Sequence, residues 1–228
     1  MQYIAHDAIF RGAYKLGRPE TSCQPDLARN TKRRRPEQNC FGLMASLLDY
    51  FLFLWVLSEV VGAWLIPRLR QKGAATVAGD KGSQEVVTAA VFASILGAFY
   101  LAKSQTAPTS VLEVGLALMA LGIVIRQYSI LVLGRFFTLS VKVASDQKVI
   151  TKGPYRFVRH PSYTGLLLAE LGVGLALGSW EATILILLVS GAAVGYRVRV
   201  EEGLLVSELG EAYALYRKKT KRLIPFIF

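Results

Sequence analysis

The chain is poor in the residues that build metal centres and covalent frameworks. It contains two cysteines and two histidines in 228 residues. Cys23 and Cys40 have no metal-ligand spacing, so neither a zinc site nor a disulfide framework is expected. Acidic residues are also scarce, 16 against 27 Lys and Arg, which leaves a formal net charge of +11. In a soluble protein that excess would suggest nucleic acid. No basic stripe interleaved with aromatics lies on a polar face, and no nucleic-acid partner is expected. Charge of either sign is thin: 19% of residues are charged and 53% apolar, whereas a soluble domain carries about 25% charged residues. That shortage excludes an ordinary soluble domain.

In place of charge there are long apolar runs. Phe41 to Ile66, Val86 to Ala102, Pro108 to Leu133, Pro161 to Gly178 and Trp180 to Val198 each approach or reach the length that spans a bilayer. The fold class that follows is an all-α integral membrane bundle of about five transmembrane helices. A C-terminal interfacial helix is added by Leu204, Leu205, Leu209, Tyr213 and Tyr216, which recur at helical spacing among charges. The organisation is a polar basic tail over 1–40, spans one to three over 41–133, and a functional core over 134–228. Arg126, near the end of the third run, is read as reaching for the headgroups along its own stem rather than facing the interior. Spans four and five are joined by almost no loop and form a hairpin. Each carries a small-residue pair, Gly174/Gly178 and Gly191/Gly195, that lets helices approach closely. Gly172-Val173-Gly174 imitates a nucleotide-binding loop, but it lies in an apolar helix with no strand before it, so it is read as packing.

With five spans, the loop at 67–85, the loop at 134–160 and the C-terminal tail lie on one side. They carry 4, 6 and 7 basic residues, a total of 17 against 9 on the other side, with Arg197 counted in the tail. The positive-inside rule puts the long polar loop and the C-terminus in the cytosol. The basic tail, with Lys32 to Arg35, dissents.

Polar chemistry gathers between Val141 and Glu202. Gly153-Pro154 makes a turn, and His160-Pro161 starts a helix, because proline is tolerated at its first position. The positive end of span four then points at the interface, suited to an anion, beside Tyr155, His160, Ser162 and Tyr163. At the foot of span five, Arg197 and Glu201 share a helix face. Taken piece by piece, an i,i+4 ion pair and headgroup anchors would account for these residues.

Taken together, they form a motif. Lys152-Gly153-Pro154-Tyr155-Arg156, then Arg159-His160-Pro161-Ser162-Tyr163 and Gly165, are followed by Arg197 with Glu201-Glu202, and by Gly210-Glu211, Tyr213 and Tyr216. The pattern resembles the isoprenylcysteine carboxyl methyltransferase family over Gly134 to Phe228, from Leu133-Gly134-Arg135-Phe136-Phe137 to Ile224-Pro225-Phe226. The resemblance implies a multi-pass membrane enzyme that uses S-adenosyl-L-methionine, without a metal. Its location would be the endoplasmic reticulum membrane in a eukaryote or the inner membrane in a bacterium. It implies that Gln147, Lys148, Val149, Ile150, Tyr155, His160, Pro161, Ser162, Tyr163 and Glu201 hold the cofactor. Arg197 and Glu201 would be the catalytic residues, with Arg197 meeting the substrate. The partners implied are the lipid bilayer and a prenylated protein or small lipophilic acceptor. The wider superfamily includes thiol and phospholipid-amine methyltransferases, which would keep the cofactor half and change the acceptor half.

Overall fold

The structure, a computed structural model, describes residues 36–65, 76–103, 107–144 and 146–224. The chain divides into two units, Met1–Asn39 and Cys40–Phe228, and the site lies in the second. The basic tail lies outside the described residues up to Arg35, and so do Pro225 and Phe226 of the family motif.

Five long helices carry the architecture. α1 runs Pro36–Ser58 and continues as a π-helical segment, Glu59–Leu65. β1 (Thr76–Ala78) precedes α2 (Ser83–Ala102) and α3 (Thr109–Leu133). A 3₁₀ turn (Gly134–Phe136), β2 (Lys142–Ala144) and a second 3₁₀ turn (Gly153–Arg156) fill the polar loop. α4 (Pro161–Ala176) and α5 (Trp180–Lys219) complete the chain. Among the described residues, three helices are long and apolar enough to cross a membrane: Ser83–Ala102, Thr109–Phe136 and Trp180–Lys219. The outer faces are apolar, with Phe92, Leu96, Val124 and Leu188 all exposed. Such faces suit lipid rather than water.

The expected hairpin is present and tight. Gly178 turns at φ 72, and Ser179 caps α5 by accepting from the Ala182 N–H at 3.1 Å. The expected packing glycines are only partly the ones used. A Cβ on Gly191 or Gly195 would meet nothing within 4 Å, so that pair packs against no described residue. The close seam lies between α3 and α4. A Cβ on Gly115 would fall 2.7 Å from the Gly172 carbonyl oxygen, and one on Gly122 2.6 Å from that of Gly165. These glycines recur every seven residues, two helical turns, so each helix lays one backbone stripe against the other. Gly172 is thus a packing glycine, as read from its context.

Two polar arrangements hold the interior. Ser190 of α5 donates to Glu170 of α4 at 3.1 Å and lies 3.1 Å from Ser94 of α2, which ties three helices by hydroxyls. Arg126 corrects the expectation that it snorkels outward. It is buried, paired through Nε and Nη2 with the Glu59 carboxylate, and its Nη1 donates to the Ser162 carbonyl at 3.2 Å. A guanidinium with a bidentate counterion at hand is satisfied inside, and the headgroups offer it nothing better.

Span five and the mixed segment after Val198 form one helix of 40 residues, broken in direction at Gly210, which lies at φ 53 and ψ −129. The stripe that suggested an interfacial helix turns into the core of the site at Leu205, Leu209, Tyr213 and Tyr216.

Candidate active site

Three segments close on one cavity. The polar loop contributes Gln147, Lys148, Val149, Ile150 and Tyr155. The first turn of α4 contributes His160, Ser162 and Tyr163, and α5 contributes Arg197, Glu201 and the Leu205–Tyr216 stripe. The cavity is partly open to solvent, and these residues form its walls. Of the residues expected to build the site, all line this cavity except Pro161. Proline at that position starts α4 and is buried, so its part is to set the direction of the helix.

The loop is folded back over the helix ends by short-range devices. β2 pairs antiparallel with β1, Val77 opposite Val143, and the Gly79 N–H reaches the Val141 carbonyl at 3.1 Å. The segment after span one is thereby brought to the same end as the polar loop. The C-terminal strand segment runs beside the His-Pro motif: the Arg159 N–H donates to Lys221 at 2.8 Å and the His160 N–H to Arg222 at 3.0 Å. Tyr216 donates to the Tyr155 carbonyl at 2.6 Å. Burial raises the Tyr155 phenol above its ordinary pKa, so at neutral pH it is an uncharged wall of the cavity.

The adjacent glutamates have different surroundings. Glu202 is buried and accepts from Arg159 Nε at 2.8 Å and Arg222 Nε at 3.2 Å. His160 Nε2 lies 3.3 Å from the same carboxylate. A carboxylate only accepts, so the proton sits on Nε2 and fixes the tautomer of the ring. Glu202 therefore clasps the C-terminus to the His-Pro turn. Glu201 keeps 28% of its side chain exposed and faces the cavity. Its Oε2 accepts from the Tyr163 hydroxyl at 2.9 Å and lies 3.9 Å from His160 Nδ1. His160 stacks on Tyr163, ring centroids 5.8 Å apart.

Arg197 and Glu201 do not form a direct ion pair among the described residues. Arg197 Nε donates to the Tyr163 hydroxyl at 2.9 Å, and that hydroxyl donates on to Glu201. Arg197 Nη1 donates to Asp80 Oδ1 at 2.6 Å and Ser83 Oγ at 2.8 Å, and Nη2 donates to the Leu139 carbonyl. Asp80, Ser83 and the Arg159–Glu202 clasp were not foreseen. Asp80 sits just before α2 and its carboxylate also accepts from the Gln84 N–H at 3.2 Å. In sequence it reads as a helix cap and nothing more.

A bundle of apolar helices with a polar cavity at one end is an architecture this chain shares with known proteins. Residues 111–212 match the phospholipid methyltransferase family. The chain is 33% identical over 153 residues to protein-S-isoprenylcysteine O-methyltransferase of Schizosaccharomyces pombe, covering 66% of this chain and 62% of that one. It is 34% identical over 116 residues to a probable protein-S-isoprenylcysteine O-methyltransferase of Oryza sativa subsp. indica, covering 50% and 61%. The chain thus spans about three fifths of the length of these curated relatives. Among solved structures, the eukaryotic intramembrane Ras methyltransferase ICMT shares the fold, with a TM-score of 0.56 and 23% identity over 86% of this chain and 70% of that one. The chain is thus similar in sequence to isoprenylcysteine O-methyltransferases over half to two thirds of its length.

Proposed function

We propose that the protein transfers a methyl group from S-adenosylmethionine to the carboxylate of a prenylated cysteine at the cytosolic face of a membrane. The observation that carries this reading is the hydrogen-bonded string Arg197–Tyr163–Glu201 along one cavity wall, at 2.9 Å and 2.9 Å, beside the aligned relatives' activity. A bound S-adenosylmethionine supplies an electrophilic methyl group on a sulfonium. The residues fit it. Glu201, a half-buried carboxylate in the cavity, suits a cationic amino group, Tyr155, Tyr213 and Tyr216 give an aromatic wall, and Gln147 to Ile150 line the cavity beside them.

The acceptor carboxylate is ionised at neutral pH, so no side chain has to remove a proton. The work of the chain is to hold the two reactants in line and to exclude water from the anion. Arg197 orients the acceptor's carboxylate. The prenyl chain lies among the apolar helices, where burial contributes about 0.8 kcal/mol per CH₂.

A second reading, methylation of a thiol or a phospholipid amine, is favoured by one observation: the Arg197 guanidinium is already held by four acceptors. The test is transfer of labelled methyl by detergent-purified protein to a prenylcysteine, a lipophilic thiol and an aminophospholipid. A base-labile methyl ester on the prenylcysteine is the expected product. Label only on sulfur or nitrogen would overturn the carboxylate reading.

A further inference from the structure

Arg197 is built into its place more thoroughly than a substrate clamp needs to be. Its side chain is 4% exposed, and a buried guanidinium without a counterion is costly. The counterion is Asp80, which lies 117 positions earlier in the chain and is placed by the turn that links β1 to α2. Of the five N–H groups of a guanidinium, four are engaged: Nε with Tyr163, both on Nη1 with Asp80 and Ser83, and one on Nη2 with Leu139. No edge of the fork keeps two free N–H groups, and a two-point grip on a carboxylate needs such an edge. One partner has to leave.

The four partners differ in how readily they can do so. The Leu139 carbonyl is backbone, the Tyr163 hydroxyl is tied to Glu201, and Ser83 is neutral. Asp80 is the one anion among them, and its Oδ1 keeps two other donors, the Ser83 hydroxyl and the Gln84 N–H, if it gives up Arg197. The turn that follows it, Lys81 at φ 50 and Gly82 at φ 72, places two successive residues in the left-handed region.

Resting on the carboxylate reading given above, we propose that Asp80 is a specificity-determining residue that stands in for the acceptor's carboxylate on Arg197. Between turnovers it neutralises the guanidinium, and an acceptor carboxylate takes its place. A neutral acceptor head cannot compensate for the lost ion pair and is rejected. The methyl ester product is neutral, so Asp80 recaptures Arg197 as the product leaves.

The test compares equilibrium binding of N-acetyl-S-farnesylcysteine and its carboxamide to the full-length protein in nanodiscs, in the presence of S-adenosylhomocysteine. Asp80→Asn keeps an oxygen for Ser83 and Gln84 and Asp80→Ser keeps a hydroxyl before α2, and since both leave the buried Arg197 without its counterion, a thermal melt with S-adenosylhomocysteine bound accompanies each titration to show that the variant is folded. Each variant removes the competing charge, and the carboxylate ligand should bind roughly two- to tenfold tighter, the range of one hydrogen bond gained. The carboxamide, with no ion pair left to break, should gain affinity as well. Carboxylate affinity that is unchanged or lower in both variants, while wild type still prefers acid to amide, would overturn the proposal. If wild type binds acid and amide alike, the Arg197 clamp itself is wrong.

Discussion

Between α3 and α4 the protein uses residues with no side chain, while at the polar end it uses the longest charged side chains it has. Below the Arg126–Ser162 bond the seam relies on close contact: Gly115, Gly122, Gly165 and Gly172 let two backbones meet, and dispersion acts over that stripe. At the other end Glu202 draws Arg159, Arg222 and His160 onto a single carboxylate and fastens the C-terminus over the site. In lipid, apolar surface gains little by meeting apolar surface, so shape must hold the helices. Near water, polar loops have no shape to rely on, so charge holds them. A substitution should therefore be judged by a different quantity at each end, volume in the seam and charge in the clasp.

The largest effect is expected from Gly165→Leu. Its Cβ would stand 2.6 Å from the Gly122 carbonyl and 2.7 Å from the Arg126 nitrogen, both backbone. Neither atom can turn aside, so the cost should exceed the roughly 1–3 kcal/mol of ordinary overpacking. Loss of a monodisperse peak in detergent size-exclusion is the expected outcome, and a wild-type profile with a wild-type melt would refute the seam. Next is Glu202→Gln, which keeps shape and removes charge. Arg159 is left buried without its counterion, at about 3–5 kcal/mol. Thermal unfolding in detergent should drop accordingly, and an unshifted melt would mean that the clasp holds nothing.

Glu201→Gln makes the same chemical change one residue earlier and should act on binding instead. Titration with S-adenosylhomocysteine should show a loss of about 2–5 kcal/mol, the usual cost of removing one partner of a charged contact. The unliganded protein should melt within about 0.5 kcal/mol of wild type. Equal damage to folding by both glutamine variants would erase the distinction between the two carboxylates. The smallest effect belongs to Gly191→Ala, whose Cβ meets nothing. Stability should change by less than about 0.5 kcal/mol, and a larger loss would point to a helix partner beyond the described residues.

The elements carried by local pattern could be read from the sequence. The apolar runs gave the helices, the Gly-Pro and His-Pro steps gave the turn into α4, and the spacing of Arg197 and Glu201 put both on one wall. What escaped depends on residues distant along the chain. Asp80 and Arg197 are 117 positions apart, and Glu59 and Arg126 are 67 apart. A lone acid before a helix or inside a span gives no hint of which arginine it will meet. The glycine seam was visible in principle. Pairs spaced by four, one turn, point to Gly191 and Gly195, whereas the seam repeats every seven, two turns, and the close packing falls to Gly115 and Gly165.

Gly210 carries a consequence for how this protein can vary. Its backbone, at φ 53 and ψ −129, is open to glycine and costly for any residue with a Cβ, although a Cβ there would meet no neighbour. The constraint is one of direction alone: past this residue the helix is re-aimed so that Tyr213 and Tyr216 face the cavity. Adding or deleting one residue between Glu202 and Tyr213 would turn both tyrosines by about 100° around the helix axis. The exposed faces of that stretch can drift freely in identity, but its length is locked to the cavity.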